Sequence, residues 1–294
     1  MGRIIRCITT DGCVTAMAID STDIVRKAES IHCTSAVITA AMGRMLTAVA
    51  MMGNSLKTNS GSVTLRISGD GPARMISAVG DAKGNVKCCP YEPVVEIPLK
   101  PNGKLDVGGA IGHGELSVVK DVGMKEPYIG VIPLVSGEIA EDITSYFATS
   151  EQIPTVCALG VLVNPDLTVK VAGGYIIQLL PTADDEIITK VENSIKDVKP
   201  ITVLMDEGMS LEEIVKDALS EFEVEVLDES IAQYKCDCSR ERTERVLCSL
   251  SEDELQKLSD EQPTTEVCCH FCNTVYKFTS DEVKKLIIKK NKKI

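Results

Sequence analysis

Residues 266–278 read EVCCHFCNTVYKF and place Cys268, Cys269 and Cys272 within one short turn. Upstream, residues 235–242 read KCDCSRER and supply Cys236 and Cys238. Two close thiol pairs from distant points of a chain can close a tetrahedral Zn²⁺ site, because each pair folds back on itself and the ion joins them. A site of four thiolates has no open position for a substrate, so its role is structural. C-x-x-C spacing selects Cys269 with Cys272. Cys268 then points away from the ion, and His270, caught between two ligands, is left out. The candidate ligands are Cys236, Cys238, Cys269 and Cys272, holding one zinc in the reduced protein.

The module around them, residues 235–294, needs such a staple, since a core this small is marginal. Its helices announce themselves by capping boxes, Ser251 with Glu254 and Thr279 with Glu282, and Leu250 is placed as a hydrophobic staple for the first. Zinc contributes roughly 10–16 kcal/mol to the folding of such modules, against about 5–15 kcal/mol for a typical domain's whole stability. Loss of zinc is therefore expected to unfold this one. The lysine-rich end, KKLIIKKNKK, reads as a solvated helix terminus.

Six of the chain's 12 cysteines lie between Cys236 and Cys272. No secretory signal precedes them, and in a reducing cytosol clustered thiols read as metal or redox sites rather than a disulfide scaffold. Ligand thiolates are also what oxidants attack, and each close pair is positioned to form a local disulfide and let the metal go. Short disulfide loops restore little stability and a C-x-C bridge is readily reduced, so the change is expected to reverse. Cys88, Cys89 and Cys248 read as small, partly buried residues.

Before this module the chain is acidic. Residues 183–235 carry fifteen Asp and Glu against five Lys and read as a separate helical segment rather than more sheet. Within it SLEEIVKDALSEF puts Leu211, Ile214, Val215, Ala218, Leu219 and Phe222 on one helix face behind a Ser210/Glu213 capping box. That stripe needs a surface to cover. Residues 1–181 mix periods: CTSAVITAAMGRMLTAVAMMGNSLK predicts a buried helix over 34–56, and GEIAEDITSYFATS a further helical segment. SVTLRISGDGP, GELSVVKDV and LTVKVAGGYIIQLLP predict strands, with Val63, Leu65 and Ile67 on one face. The fold class is α+β in three parts: an N-terminal mixed helix and strand domain (1–181), an acidic helical linker (182–234) and a small C-terminal zinc-binding domain (235–294).

A net charge of −12 opposes nucleic acid and anionic membranes as partners. No apolar run is read as a membrane span. Nothing suggests an enzyme: GGAIGHG, with His113, lacks the order of a phosphate loop, and His113 and His32 read as ordinary surface or core residues.

YKCDCSRER and CHFCNTVYKF behind an acidic linker, with SGDGP, KEPYIG, LVSGEIAEDITSYFATSEQIPT, ALGVLVNPD and GGYIIQLLP before it, closely resemble the heat-shock protein 33 family. The resemblance covers nearly the whole chain. It implies a bacterial cytoplasmic chaperone of the oxidative-stress response, an ATP-independent holdase that is inactive while reduced and zinc-bound. On oxidation the family forms the two local disulfides, here Cys236–Cys238 and Cys269–Cys272. It then releases zinc, unfolds the linker and binds unfolding client proteins, commonly as a homodimer; cellular thiol reductants reverse the change. Cys88, Cys89, Cys248 and Cys268 are additional to that pattern. Two other classes fit the residues less well. A thiol-disulfide oxidoreductase lacks its C-x-x-C at the opening of a helix, and a zinc-ribbon adaptor for nucleic acid lacks a basic, aromatic surface.

Overall fold

The computed structural model describes residues 1–291. The chain forms two compact units, which divide between Lys235 and Cys236. Lys292 and Lys293 of the lysine-rich end lie outside the described residues.

The first unit opens with a hairpin, β1 (Gly2–Thr9) and β2 (Val14–Asp20), then two helices, α1 (Thr22–His32) and α2 (Ala36–Asn54). Strands β3 (Ser62–Gly69), β4 (Met75–Asp81) and β5 (Asn85–Pro90) follow as a meander. A short α3 (Val107–Ile111) leads to β6 (Gly114–Asp121) and β7 (Tyr128–Pro133). Then α4 (Ala140–Tyr146) runs on as one wide π turn, Phe147–Glu151, before β8 (Thr155–Val163) and β9 (Val169–Leu179). The acidic segment contributes α5 (Asp185–Ile195), α6 (Ile201–Asp206), α7 (Leu211–Ala218) and β10 (Val224–Tyr234). One ten-stranded sheet results, in the order β7-β6-β3-β4-β5-β10-β1-β2-β9-β8. Its pairings are antiparallel except β5 with β10, which touch in parallel through Asn85 and Val86.

Helix α2 sits where its all-round apolar pattern predicts, with Ile38, Met42, Met45, Leu46 and Met51 fully buried. It has the length and composition of a membrane-crossing helix, which qualifies the sequence expectation, yet it is packed inside the unit. The helix lies so close to the sheet that a Cβ on Gly80 of β4 would fall 2.2 Å from the Val49 carbonyl oxygen. Only glycine allows that approach. Val63, Leu65 and Ile67 of β3 face the same core.

The opposite face of β1, β2 and β9 is also covered. Ile5, Cys7, Val14, Ala16, Ala18, Tyr175 and Ile177 form a second core with Val191, Ile201, Leu204 and the α7 stripe Leu211, Ile214, Val215, Ala218 and Leu219. Both faces being buried explains why GGYIIQLLP reads as a continuous apolar run rather than an alternating one. The Ser210/Glu213 capping box at the start of α7 is formed reciprocally.

Residues 224–234 correct the sequence reading: the end of the acidic segment is strand, not helix. β10 pairs with β1 from Val224 to Ala232, with a bulge opposite Arg6 and Cys7 that leaves Leu227 unpaired. Its acids are tolerated because β1 carries the matching cations. Arg6 bonds Asp228 at 2.8 Å, and Arg3 bridges Glu229 on β10 and Glu212 on α7.

The second unit contains α8 (Arg240–Leu247), α9 (Glu252–Glu261), the hairpin β11 (Thr264–Cys268) with β12 (Val275–Thr279), and α10 (Ser280–Asn291). Its core is Leu247, Leu255, Phe278, Val283 and Leu286. The Ser251/Glu254 and Thr279/Glu282 capping boxes both form. Five large apolar groups among the described residues make a thin core, as the sequence predicts.

Candidate metal centre

Two backbone features deliver the four cysteines. Cys236 and Cys238 occupy the extended stretch that ends at Ser239, whose side chain caps α8 by accepting from the Arg242 amide. Cys269 and Cys272 occupy the tip of the β11–β12 hairpin. There the Cys272 and Asn273 amides donate to the Cys269 carbonyl, at 3.2 and 2.8 Å, and Asn273 takes the left-handed conformation (φ 56°) that closes the turn. Arg240 ties the two features together. Its guanidinium stacks 4.3 Å from the Phe278 ring centre, donates to the Lys277 carbonyl at 2.8 Å and pairs with Glu282 at 2.7 Å.

The Sγ atoms of Cys236, Cys238, Cys269 and Cys272 all lie within 4.8 Å of one another. Cys236 and Cys269 are 3.7 Å apart, Cys238 and Cys272 3.4 Å. A tetrahedral ion about 2.3 Å from each sulfur would set them about 3.8 Å apart, so the four thiols can hold one metal ion. Cys268, at the end of β11, and His270 are exposed and stand outside this group.

Two hydroxyl groups complete the surroundings. Tyr276 on β12 donates to Cys238 Sγ at 3.1 Å, and Thr274 Oγ1 lies 3.2 Å from Cys272 Sγ. Sequence reading missed both. Nothing in their spacing marks a contact with Cys238, which only the hairpin register brings near Tyr276.

Four thiols this close cannot ionise independently. Burial, with the neighbouring sulfurs, pushes Cys236 well above the ordinary thiol range, and burial pushes Cys269 up as well. Burial works the same way on Cys272, but hydrogen bonds from Thr274 and the adjacent sulfurs outweigh it and bring this thiol down to about 7. A cation is what would let the remaining sulfurs lose their protons together.

The other cysteines are differently placed. Cys7, Cys88 and Cys157 have thiols pushed up by burial, to about 11 for Cys7 and about 12 for Cys157, which makes them poor nucleophiles. Cys88 is fully buried, whereas Cys89 and Cys248 are half-buried. His32 meets the Tyr234 hydroxyl at 3.2 Å, and His113 is exposed.

Comparison with known proteins agrees with this architecture. The family model described as Hsp33 protein matches residues 2–279. The 33 kDa chaperonin of Lachnoclostridium phytofermentans is 47% identical over 288 residues, covering 98% of this chain and 99% of that protein. The 33 kDa chaperonin of Agathobacter rectalis is 44% identical over 283 residues, covering 96% and 98%. The crystal structure of 33 kDa chaperonin (heat shock protein 33 homolog) from Thermotoga maritima superposes with a TM-score of 0.90 at 36% identity, covering 99% of each chain. Sequence, sheet order and clustered thiols lead to one assignment: the chain belongs to the Hsp33 family, and its function is that of a chaperone.

Proposed function

We propose that this protein is a redox-regulated, ATP-independent holdase, inactive while its four clustered cysteines are reduced and hold one Zn²⁺. The carrying observation is that Cys236, Cys238, Cys269 and Cys272 converge within 4.8 Å immediately beyond the acidic segment. Zinc, when bound, keeps the four sulfurs as thiolates and contributes most of the second unit's folding free energy.

A thiolate of the cluster attacks one oxygen of a peroxide, forming a sulfenic acid and releasing hydroxide. A second thiolate then displaces hydroxide from that sulfur to give the disulfide, and two such events consume all four ligands. Proximity alone does not choose the partners, since cross pairs are as near as local ones. Chain connectivity does so once the unit loosens. The cross partners are 33 and 34 residues apart, and an open chain brings them together less readily than residues two or three apart. The pairing proposed is Cys236–Cys238 and Cys269–Cys272.

Cys236 follows β10 by two residues. Freed from its ligand position, it no longer anchors the end of the acidic segment. Release of residues 182–234, the linker of the three-part division, would bare the apolar faces of α7, β1, β2 and β9. Unfolding clients would meet those surfaces beside a self-repelling acidic chain, which keeps the complexes dispersed. The protein acts in the cytoplasm, commonly as a homodimer when active, without catalysing a reaction and without nucleic acid or membrane partners. Thiol reductants reset it.

Zinc content and suppression of client aggregation, measured on the same samples before and after peroxide under mild heating, test this reading. Expected is full zinc with little suppression before, and lost zinc with strong suppression after. Equal suppression by the reduced, zinc-loaded sample would overturn it.

A further inference from the structure

Helix α6 is a six-residue helix whose N-cap position is Pro200, with no side-chain cap. Ile201 and Leu204 are buried against β8 and β9, and Met205 beside them is half-buried. Both strands offer bare backbone beneath the helix. A Cβ on Gly160 would lie 2.5 Å from Thr202 Cγ2, and one on Gly173 would lie 2.5 Å from Met205 Sδ. The thioether therefore rests directly on the sheet at a buried glycine, and the residue as a whole remains partly exposed.

We propose that Met205 is a second oxidation site, where conversion of the thioether to its sulfoxide loosens α6 from β8 and β9 without involving the clustered cysteines. The other methionines set the contrast. Met42, Met45, Met51 and Met52 are at most 2% exposed and out of an oxidant's reach. Met1 and Met124 are 75% and 72% exposed, free to react but anchoring no core. Met75 and Met209 share the partial exposure of Met205, and Met209 packs on the same core; Met205 is set apart by a sulfur placed over Gly173 of the sheet.

Hypochlorous acid is the oxidant class that fits. The sulfur lone pair takes chlorine from HOCl, releasing hydroxide, and water then displaces chloride from sulfur with loss of protons. The net change is thioether plus HOCl to sulfoxide plus H⁺ and Cl⁻: sulfur gives up two electrons and chlorine accepts them. The product is polar and carries an extra oxygen, which does not fit an apolar seat on glycine. Dithiothreitol reopens disulfides but leaves a sulfoxide, whose removal needs a dedicated reductase. Oxidation at Met205 thus outlasts the thiol reset. The inference rests on the acidic segment being the released element, but its test reads exchange and mass rather than chaperone activity.

Wild type and Met205→Leu are oxidised with hypochlorous acid, reduced with dithiothreitol, reloaded with zinc and checked for metal content. In wild type, peptide mass spectrometry should find one added oxygen at Met205, and amide exchange over 201–206 should stay about tenfold or more above the untreated protein. Met205→Leu, a volume-conserving change, should return to its starting rates. Met205→Gln, never oxidised and fully metal-loaded, should exchange as fast as the treated wild type. Oxidised Met205 with unchanged exchange, oxygen added at Met209 alone, or Met205→Gln protected like Met205→Leu would each overturn the proposal.

Discussion

At the scale of single residues, the register of the doubled cysteine decides the chemistry. Cys269→Ser removes one of four converging sulfurs and should reduce bound zinc to near zero, while Cys268→Ser should leave about one equivalent, measured by metal analysis of reduced protein. The opposite pattern would refute the assigned ligand set. Tyr276 is the subtler residue. Its hydroxyl donates to Cys238 Sγ, and a hydrogen bond to a thiolate withdraws charge from the attacking sulfur. Tyr276→Phe should still bind zinc but release it several-fold faster on peroxide addition, followed with a chromogenic zinc chelator; an unchanged or slower release would remove Tyr276 from the mechanism. The convergence of the four cysteines was legible in the sequence because two short-spaced thiol pairs are the pattern a metal site requires. Tyr276 was not, because its contact spans 38 residues and depends on how a hairpin and an extended segment fold beside each other.

At the scale of elements, β10 carries the lesson. The charge of residues 183–235 suggested a separate helical segment, and α5 to α7 fit it, but EVEV at residues 223–226 alternates with the period of a strand. Composition taken over the whole window hid a local period of two. What makes the strand tenable is long-range, namely Arg3 and Arg6 of β1, more than 200 residues away in sequence. Hydrogen bonding to Arg3 holds the carboxyls of Glu212 and Glu229 below their ordinary value of 4.5. A depressed carboxylate stabilises the fold above its unfolded value and loses that contribution as pH falls through the lower folded value. Amide protection in β10 should therefore be nearly level from pH 7 to about 5 and decline below about 4.5. Arg3→Ala should show the loss already at pH 7, with a flatter acid response and a Tm lower by at most a few degrees, since these pairs are partly exposed. A steep acid loss retained in Arg3→Ala would assign it to other groups. Ile214→Ala, at a fully buried position on the inner face of α7, should cost more, about 2–5 kcal/mol by denaturant unfolding.

At the scale of the whole molecule, two units differ in what sustains them. The first has two extensive apolar cores on a ten-stranded sheet, whereas the second has, among the described residues, five buried apolar side chains and a cluster of thiols. Chelating the metal from reduced protein should abolish the second unit's cooperative transition in calorimetry and spare the first unit's main transition. Survival of both would show that the small core suffices alone. The central claim is that oxidising four cysteines in the second unit releases residues 182–234 of the first. Amide hydrogen exchange on the reduced, zinc-loaded protein and on its oxidised, zinc-free form tests it most directly: exchange should accelerate across 182–234 and the second unit while α2 stays protected, and unchanged protection of α5 to α7 and β10 after complete zinc release would contradict it.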